Sequence, residues 1–228
     1  MRQSVLPTLL AALLLCFSAL AAAKEQSVRP GINAPFEHPS YGEWVERFEH
    51  EGREVYDRRA QIVEATGVAP GMVVADIGAG TGLFTRLFAP RVNPAGMVIA
   101  VDISKTFVEN ILRTSRERNL NNVQGVVNTP TDVALARESV DLAFVCDTYH
   151  HFEYPQSMLA SIHRALKPNG TLVIVDFERV PGVSSSWVLN HVRAGKETVI
   201  AEIEAAGFKL IEERPLLRDN YFLRFAKQ

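Results

Sequence analysis

The chain predicts a three-layer α/β sandwich built on a seven-stranded, mostly parallel sheet with an antiparallel strand at its C-terminal end. Three observations carry that prediction. From Met72 to Phe177, short apolar runs alternate with amphipathic segments, the pattern of a parallel sheet covered by helices on both faces. The first run ends in VVADIGAGTG, an acid followed by three glycines spaced two apart. The last two apolar runs are joined by a short link carrying Pro215, too short for a crossover helix, so they pair antiparallel at the sheet edge.

The elements follow in order. MRQSVLPTLLAALLLCFSALAAAKEQ has one early cation, Arg2, an apolar region around Leu9 to Leu20, and small residues at Ala21, Ala22 and Ala23. That is the order of a secretory signal peptide, with cleavage expected after Ala23 and a periplasmic or secreted destination. An uncleaved anchor is the alternative, because the uncharged stretch Gln3–Ala23 has 21 residues and nearly spans a bilayer. From Lys24 to about Ser40, Pro30, Gly31, Asn33, Pro35 and Pro39 predict an extended arm. Trp44, Val45, Phe48, Val55, Tyr56, Ile62 and Val63 then recur at helical spacing, predicting one or two helices broken near Gly52 and ending by Gly67.

The strands are predicted at Met72–Ile77, Met97–Val101, Val123–Val127, Leu142–Cys146, Thr171–Phe177, Phe208–Glu212 and Tyr221–Phe225. A helix opens at Leu83. A second starts after Ser104 as N-cap and buries Phe107, Val108, Ile111 and Leu112. A third carries Met158, Leu159, Ile162 and Leu166 and stops at Lys167-Pro168-Asn169-Gly170. A fourth spans about Glu197 to Ala206.

Composition narrows the partners. Loss of Arg2 with the leader lowers Lys+Arg from 24 to 23 against 26 acids, a net charge near −3, which offers no electrostatic footprint for nucleic acid. Of the two cysteines, Cys16 leaves with the leader and Cys146 then has no intrachain partner, so stability rests on the core. Beyond the leader no segment is long and apolar enough to cross a membrane. The oligomeric state is not legible.

In an open parallel sheet the ligand sits beyond the carboxyl ends of the strands. A G-x-G-x-x-G turn there would suggest a dinucleotide with its pyrophosphate at a helix N-terminus, and hence a nicotinamide-dependent oxidoreductase. The third glycine of that spacing is here Leu83. Asp76, two residues before Gly78, would oppose a pyrophosphate and suits a cationic ammonium. The next strand ends at Asp102-Ile103, an acid placed to bind the ribose hydroxyls of an adenosine.

With Ala165-Leu166-Lys167-Pro168-Asn169-Gly170 before the fifth strand and the antiparallel end, these residues resemble class I S-adenosylmethionine-dependent methyltransferases, a Rossmann-like family. The resemblance runs from about Arg47 to the C-terminus. It implies a division into signal peptide 1–23, an arm and helices 24–66 covering the cofactor site, and a methyltransferase domain 67–228. S-adenosyl-L-methionine is the implied cofactor. Gly78, Ala79 and Gly80 would lie against its methionine part with Asp76 nearby, Asp102 would bind the ribose, and Ile103 would pack on the adenine. Thr131 and Asp132, in the loop after the third strand, would meet the adenine edge, although the local NTPTD departs from the commoner glycine-acid pattern.

After the fourth strand stands CDTYHHFEYP, residues 146–155. It resembles a subgroup with a tyrosine-His-His-Phe loop here and an asparagine-tyrosine-phenylalanine near the end, matched by Asn220-Tyr221-Phe222. That strand should neighbour the first, so the loop flanks the transferable methyl, with Asp147 positioned toward the cofactor. Methyl transfer from a sulfonium is an in-line displacement, served by alignment and water exclusion. A hydroxyl or amine acceptor also needs a base, for which His150 and His151 are the candidates; packing under the loop is the alternative for either. Asp147 and Asp176 resemble in placement the magnesium site of catechol-type O-methyltransferases, yet Phe177 stands where the further asparagine ligand would be, so no metal is assigned.

The chain lacks an Asn/Asp-Pro-Pro-aromatic tetrad, a Pro-Cys nucleophile and clustered cysteines, which argues against amide, adenine, C5-cytosine and arsenic methylation. A small organic acceptor remains. His191 and Arg193 line its pocket or form an exposed pair. A non-catalytic protein that binds the cofactor or a nucleoside is the rival reading from another class.

Overall fold

The computed structural model describes residues 25–228; the expected leader, residues 1–23, lies outside them. Helices α1 (Tyr41–Phe48), α2 (Glu54–Asp57) and α3 (Arg59–Ala65) precede β1 (Val73–Ile77). There follow α4 (Leu83–Val92), β2 (Met97–Asp102), α5 (Lys105–Glu117), β3 (Val123–Val127), β4 (Val140–Cys146), α6 (Pro155–Ala165) and β5 (Leu166–Phe177). Helices α7 (Ser186–His191) and α8 (Lys196–Ala205) lead to β6 (Phe208–Arg214) and β7 (Asn220–Lys227).

The seven strands form one sheet in the order β3-β2-β1-β4-β5-β7-β6. Strands β1 to β5 pair parallel, and β7 runs antiparallel to both its neighbours. The order reverses between β1 and β4, so a crevice opens beyond their carboxyl ends.

The central strands read as continuous apolar runs because both their faces are covered. Side chains alternate across the sheet. Val74, Val98, Leu142, Phe144, Val173 and Val175 face one layer with Ile62, Phe84 and Phe88. Ala75, Ile77, Val101, Val145, Leu172 and Ile174 face the other with Leu159, Ile162, Val199 and Ile203. Full burial of each such aliphatic or aromatic side chain stabilises by about 1.5–3 kcal/mol.

Four local expectations are corrected. The arm is not extended but coils through turns and a single 3-10 turn at Ala34–Phe36; Val28 N–H donates to the Glu153 carbonyl at 2.8 Å and ties it to the loop after β4. The stop at Lys167-Pro168 does end α6, but residues 166–170 already belong to β5, with Leu166 paired to Val140; a residue before proline is pushed to extended backbone. Ser104 stands at the N-cap of α5 without a side-chain capping bond, its Oγ buried and unpartnered. Finally, α7 lies where no element is predicted. No helix among the described residues is long and apolar enough to cross a membrane.

Candidate functional site

The site begins with a consequence of strand alternation. Asp76 shares its sheet face with Val74, which turns its carboxylate toward α4; there Thr85 Oγ1 donates to Asp76 Oδ2 at 2.5 Å. At the end of β2, Asp102 braces the glycine turn and the start of α5 together. The Gly80 N–H donates to Asp102 Oδ2 and the Ser104 N–H to Oδ1, both at 2.8 Å. Burial pushes the Asp76 and Asp102 carboxyls up to about 6, against the hydrogen bonds that favour their anions.

The three glycines have three different causes. All have φ in the left-handed region, at 69°, 56° and 81° for Gly78, Gly80 and Gly82. A Cβ at Gly78 would stand 2.1 Å from Thr148 Cγ2, and one at Gly82 2.8 Å from Ile111 Cγ1. Gly80 differs: a Cβ there would meet Phe48 at 3.7 Å, an ordinary contact. The turn is therefore glycine-rich partly because the β4 loop and α5 press on it.

Beyond β4, Asp147 takes φ 47°, a strained value for a non-glycine residue. Its carboxylate is gripped from two sides: Asn220 Nδ2 donates to Oδ1 at 2.6 Å and Arg53 pairs with Oδ2. Burial raises its pKa, and the Arg53 charge opposes that rise. Next along the loop, His150 is buried and its Nδ1 lies 2.7 Å from Asp176 Oδ1. The His150 N–H donates to Asp176 Oδ2 at 3.0 Å and the Phe177 N–H to Oδ1 at 2.8 Å. Burial alone would raise the Asp176 carboxyl, but His150 and these donors outweigh it and leave it below its ordinary range. The His151 Nε2 lies 3.4 Å from the Nε2 of His191. Burial, reinforced by His150 and His191, lowers His151 to about 3, so it stays neutral at physiological pH.

These groups converge on a cavity of about 600 Å³, within the range of small-molecule sites. Asp76, Gly78, Ala79, Gly80, Asp102, Ile103, Asp147, His150 and His151 all line it. Thr131 and Asp132 do not, which corrects their expected placement. The Thr129 N–H bonds to the Asp132 carbonyl at 3.1 Å in a tight turn. That turn sends the Asp132 carboxylate outward to Arg164 at 2.7 Å and exposes Thr131. Asn128 and Pro130 line the cavity in their place. The candidate pair after β5 also separates: His191 lines the cavity, whereas Arg193 pairs with Glu202 at 2.7 Å and covers the Tyr149 ring.

The arm and helices 24–66, expected as a roof over the cofactor site, were assigned no residues for that role. Phe36, Trp44, Phe48 and Arg53 line the cavity from the arm and the first helices. Trp44 and Phe48 pack with ring centroids 4.9 Å apart; their four-residue spacing marked a helix face without singling them out as cavity residues. The roof is fastened by Tyr41 Oη donating to the Thr81 carbonyl at 3.0 Å, by the Arg86–Glu49 pair at 2.6 Å, and by Arg53 on Asp147.

Comparison with known proteins bears on the same region. Residues 75–174 match the family model described as a methyltransferase domain. That stretch runs from β1 to β5 and includes both the glycine turn and the two-histidine loop. The chain is 31% identical over 127 residues to a ubiquinone/menaquinone biosynthesis C-methyltransferase of Hydrogenovibrio crunogenus, covering 54% of this chain and 48% of that one. The chain thus spans about half the length of the curated relatives it matches. It shares its fold with a SAM dependent methyltransferase from Aquifex aeolicus, at a TM-score of 0.74 and 20% identity over 84% of this chain and 100% of that one. A possible exported protein from Bordetella parapertussis also shares the fold, at a TM-score of 0.61 and 16% identity over 80% of this chain and 71% of that one.

Proposed function

We propose that the protein transfers the methyl group of S-adenosylmethionine to a small, largely apolar and aromatic organic acceptor. The observation that carries the reading is the Asp102 carboxylate at the carboxyl end of β2, fixed by the Gly80 and Ser104 amides on the wall of the cavity. Fixed in that way, it keeps lone pairs for two ribose hydroxyls. Ile103 and Pro130 flank it as apolar surface for an adenine, and Asn128 replaces Thr131 and Asp132 as the polar group nearby. Gly78, Ala79 and Gly80 line the cavity where the methionine part would lie, and Asp76 and Asp147, on the same wall, supply negative charge for its ammonium and sulfonium.

The acceptor end is the half walled by Phe36, Phe152, Phe177 and Trp187 with the histidines. Such walls favour a flat apolar molecule, in keeping with the quinone-pathway name of the relatives. Displacement at the sulfonium carbon needs the acceptor atom in line and water excluded, which the aromatic roof serves. A hydroxyl acceptor would give its proton to the imidazole cluster, where Asp176 backs His150. Calorimetry of the purified protein with S-adenosylhomocysteine tests the reading: submicromolar to micromolar binding is expected, and no binding would sink it. Binding without turnover of any acceptor by labelled cofactor would instead favour a non-catalytic binder.

The same reading includes export. Arg2, the apolar core and Ala21–Ala23 support cleavage after Ala23. N-terminal sequencing of protein from a periplasmic extract is expected to begin at Lys24, and an intact Met1 in the cytosolic fraction alone would overturn it.

A further inference from the structure

We propose that His150, His151 and His191 form a binding site for a zinc-class divalent metal ion at the acceptor end of the cavity. One ring nitrogen of each of the three histidines lies within 4.8 Å of the others. His150 and His151 come from the loop after β4 and His191 from the end of α7, 40 residues away from His151 in sequence. The His151 and His191 Nε2 atoms are 3.4 Å apart. A tetrahedral ion with zinc–nitrogen bonds of about 2.0–2.1 Å separates its ligands by about 3.4 Å. The same separation is long for a hydrogen bond, which has its best distances at about 2.7–3.2 Å.

The surroundings fix two of the three rings. The buried carboxylate of Asp176 engages His150 Nδ1, the carboxylate–histidine arrangement that fixes the tautomer of a metal ligand and leaves Nε2 to the ion. Asp176 is itself fixed by two backbone amides. His191 is oriented by stacking on Trp187, with ring centroids 4.6 Å apart and planes at 22°. For His151 the geometry puts Nε2 toward His191, and its buried Nδ1 lacks the outer hydrogen bond that Asp176 gives His150. Three imidazoles and an indirect carboxylate suit zinc, nickel, copper or iron over magnesium. Asp176 supplies the nearest negative charge, while Arg29, held by the Asn190 carbonyl at 2.8 Å, opposes a cation; the imidazoles must therefore carry most of the affinity.

All three histidines line the cavity, so a three-histidine ion there keeps a coordination position for a non-protein ligand, the arrangement of catalytic rather than structural zinc. An acceptor hydroxyl taking that position would lose its proton more readily, to solvent water instead of to His150, which is a ligand once the ion is bound. This deepens the methyl-transfer reading at the acceptor end, but metal binding is measured without cofactor or acceptor, so the two can fail separately.

The test is a titration of the chelator-stripped, desalted protein with Co²⁺ alone, followed by visible absorption and then by displacement with Zn²⁺. An intense tetrahedral cobalt spectrum at one ion per chain, bleached by Zn²⁺, is expected. His191→Ala and His151→Gln should each weaken Co²⁺ binding at least tenfold, and Asp176→Asn by roughly 10- to 100-fold, with circular dichroism unchanged. His50→Ala, on the exposed α1–α2 connection, serves as the control and should bind as wild type. No saturable cobalt spectrum in wild type overturns the proposal. So does a spectrum that survives both His191→Ala and His151→Gln.

Discussion

Replacing Asp102 by Asn separates what this residue costs the fold from what it gives the ligand. Burial lifts its carboxyl from an ordinary 3.8 to about 6. A shift of about 2 units corresponds to roughly 3 kcal/mol of native-state preference for the protonated form. Because the folded pKa lies above the unfolded one, that stabilisation is complete below about pH 4 and is lost as pH rises through about 6. At neutral pH the wild-type protein therefore holds a buried anion whose two backbone donors do not fully offset its desolvation. Asparagine cannot ionise and removes this linkage. Urea unfolding at about pH 4 and about pH 7.5 should show the wild-type decrease in stability shrinking by roughly 2–3 kcal/mol in Asp102→Asn. Calorimetry with S-adenosylhomocysteine should show the opposite consequence. Hydrogen bonds to a charged acceptor are worth about 1.5–3 kcal/mol, so affinity should fall roughly 10- to 150-fold. An unchanged pH dependence would refute the burial argument. An affinity within about threefold of wild type would refute the ribose assignment.

Other perturbations read other parts of the site. Gly78→Ala adds a Cβ into Thr148 at left-handed φ and should cost roughly 2–4 kcal/mol in urea unfolding, partly recovered by Thr148→Ala. Gly80→Ala meets no such clash; it should cost only about 1 kcal/mol while weakening S-adenosylhomocysteine binding at least tenfold. Ser104→Ala removes a buried hydroxyl that caps nothing, so thermal unfolding should shift by less than about 0.5 kcal/mol, against the roughly 1 kcal/mol of a working N-cap. Arg53→Ala leaves the Asp147 carboxylate with Asn220 alone. Breaking a fully buried pair costs about 3–5 kcal/mol; with Arg53 at 22% side-chain exposure, about 2 kcal/mol and faster S-adenosylhomocysteine release by stopped flow are expected.

The sheet was legible because its signal is local. A strand buried on both faces is a short apolar run wherever it occurs, and β3, with its half-exposed pattern, was still bounded by Asn122 and Asn128. Boundaries failed where a tertiary partner decided them: Leu166 read as the last apolar residue of the helix and Lys167 through Gly170 as its stop, and the pairing of Leu166 with Val140 starts the strand there instead. Asp132 failed for a related reason, since nothing near NTPTD announces Arg164 as its partner.

The glycine turn shows the limit most sharply. Read as a motif, Gly78, Gly80 and Gly82 all seem to make room for a ligand. In the folded chain Gly78 makes room for Thr148 and Gly82 for Ile111, contacts to residues 70 and 29 positions away that no local pattern encodes. Of the three only Gly80 would take a Cβ without a clash, and it lines the cavity and is also the residue whose amide Asp102 holds. The ligand-facing information in VVADIGAGTG is thus concentrated in one glycine and in an acid on the next strand. The outer two glycines fix the turn's shape by letting other parts of the fold approach it. The His191 contribution is further still from local reach: a lone histidine in a six-residue helix gains chemical meaning only when the chain returns it to His150 and His151.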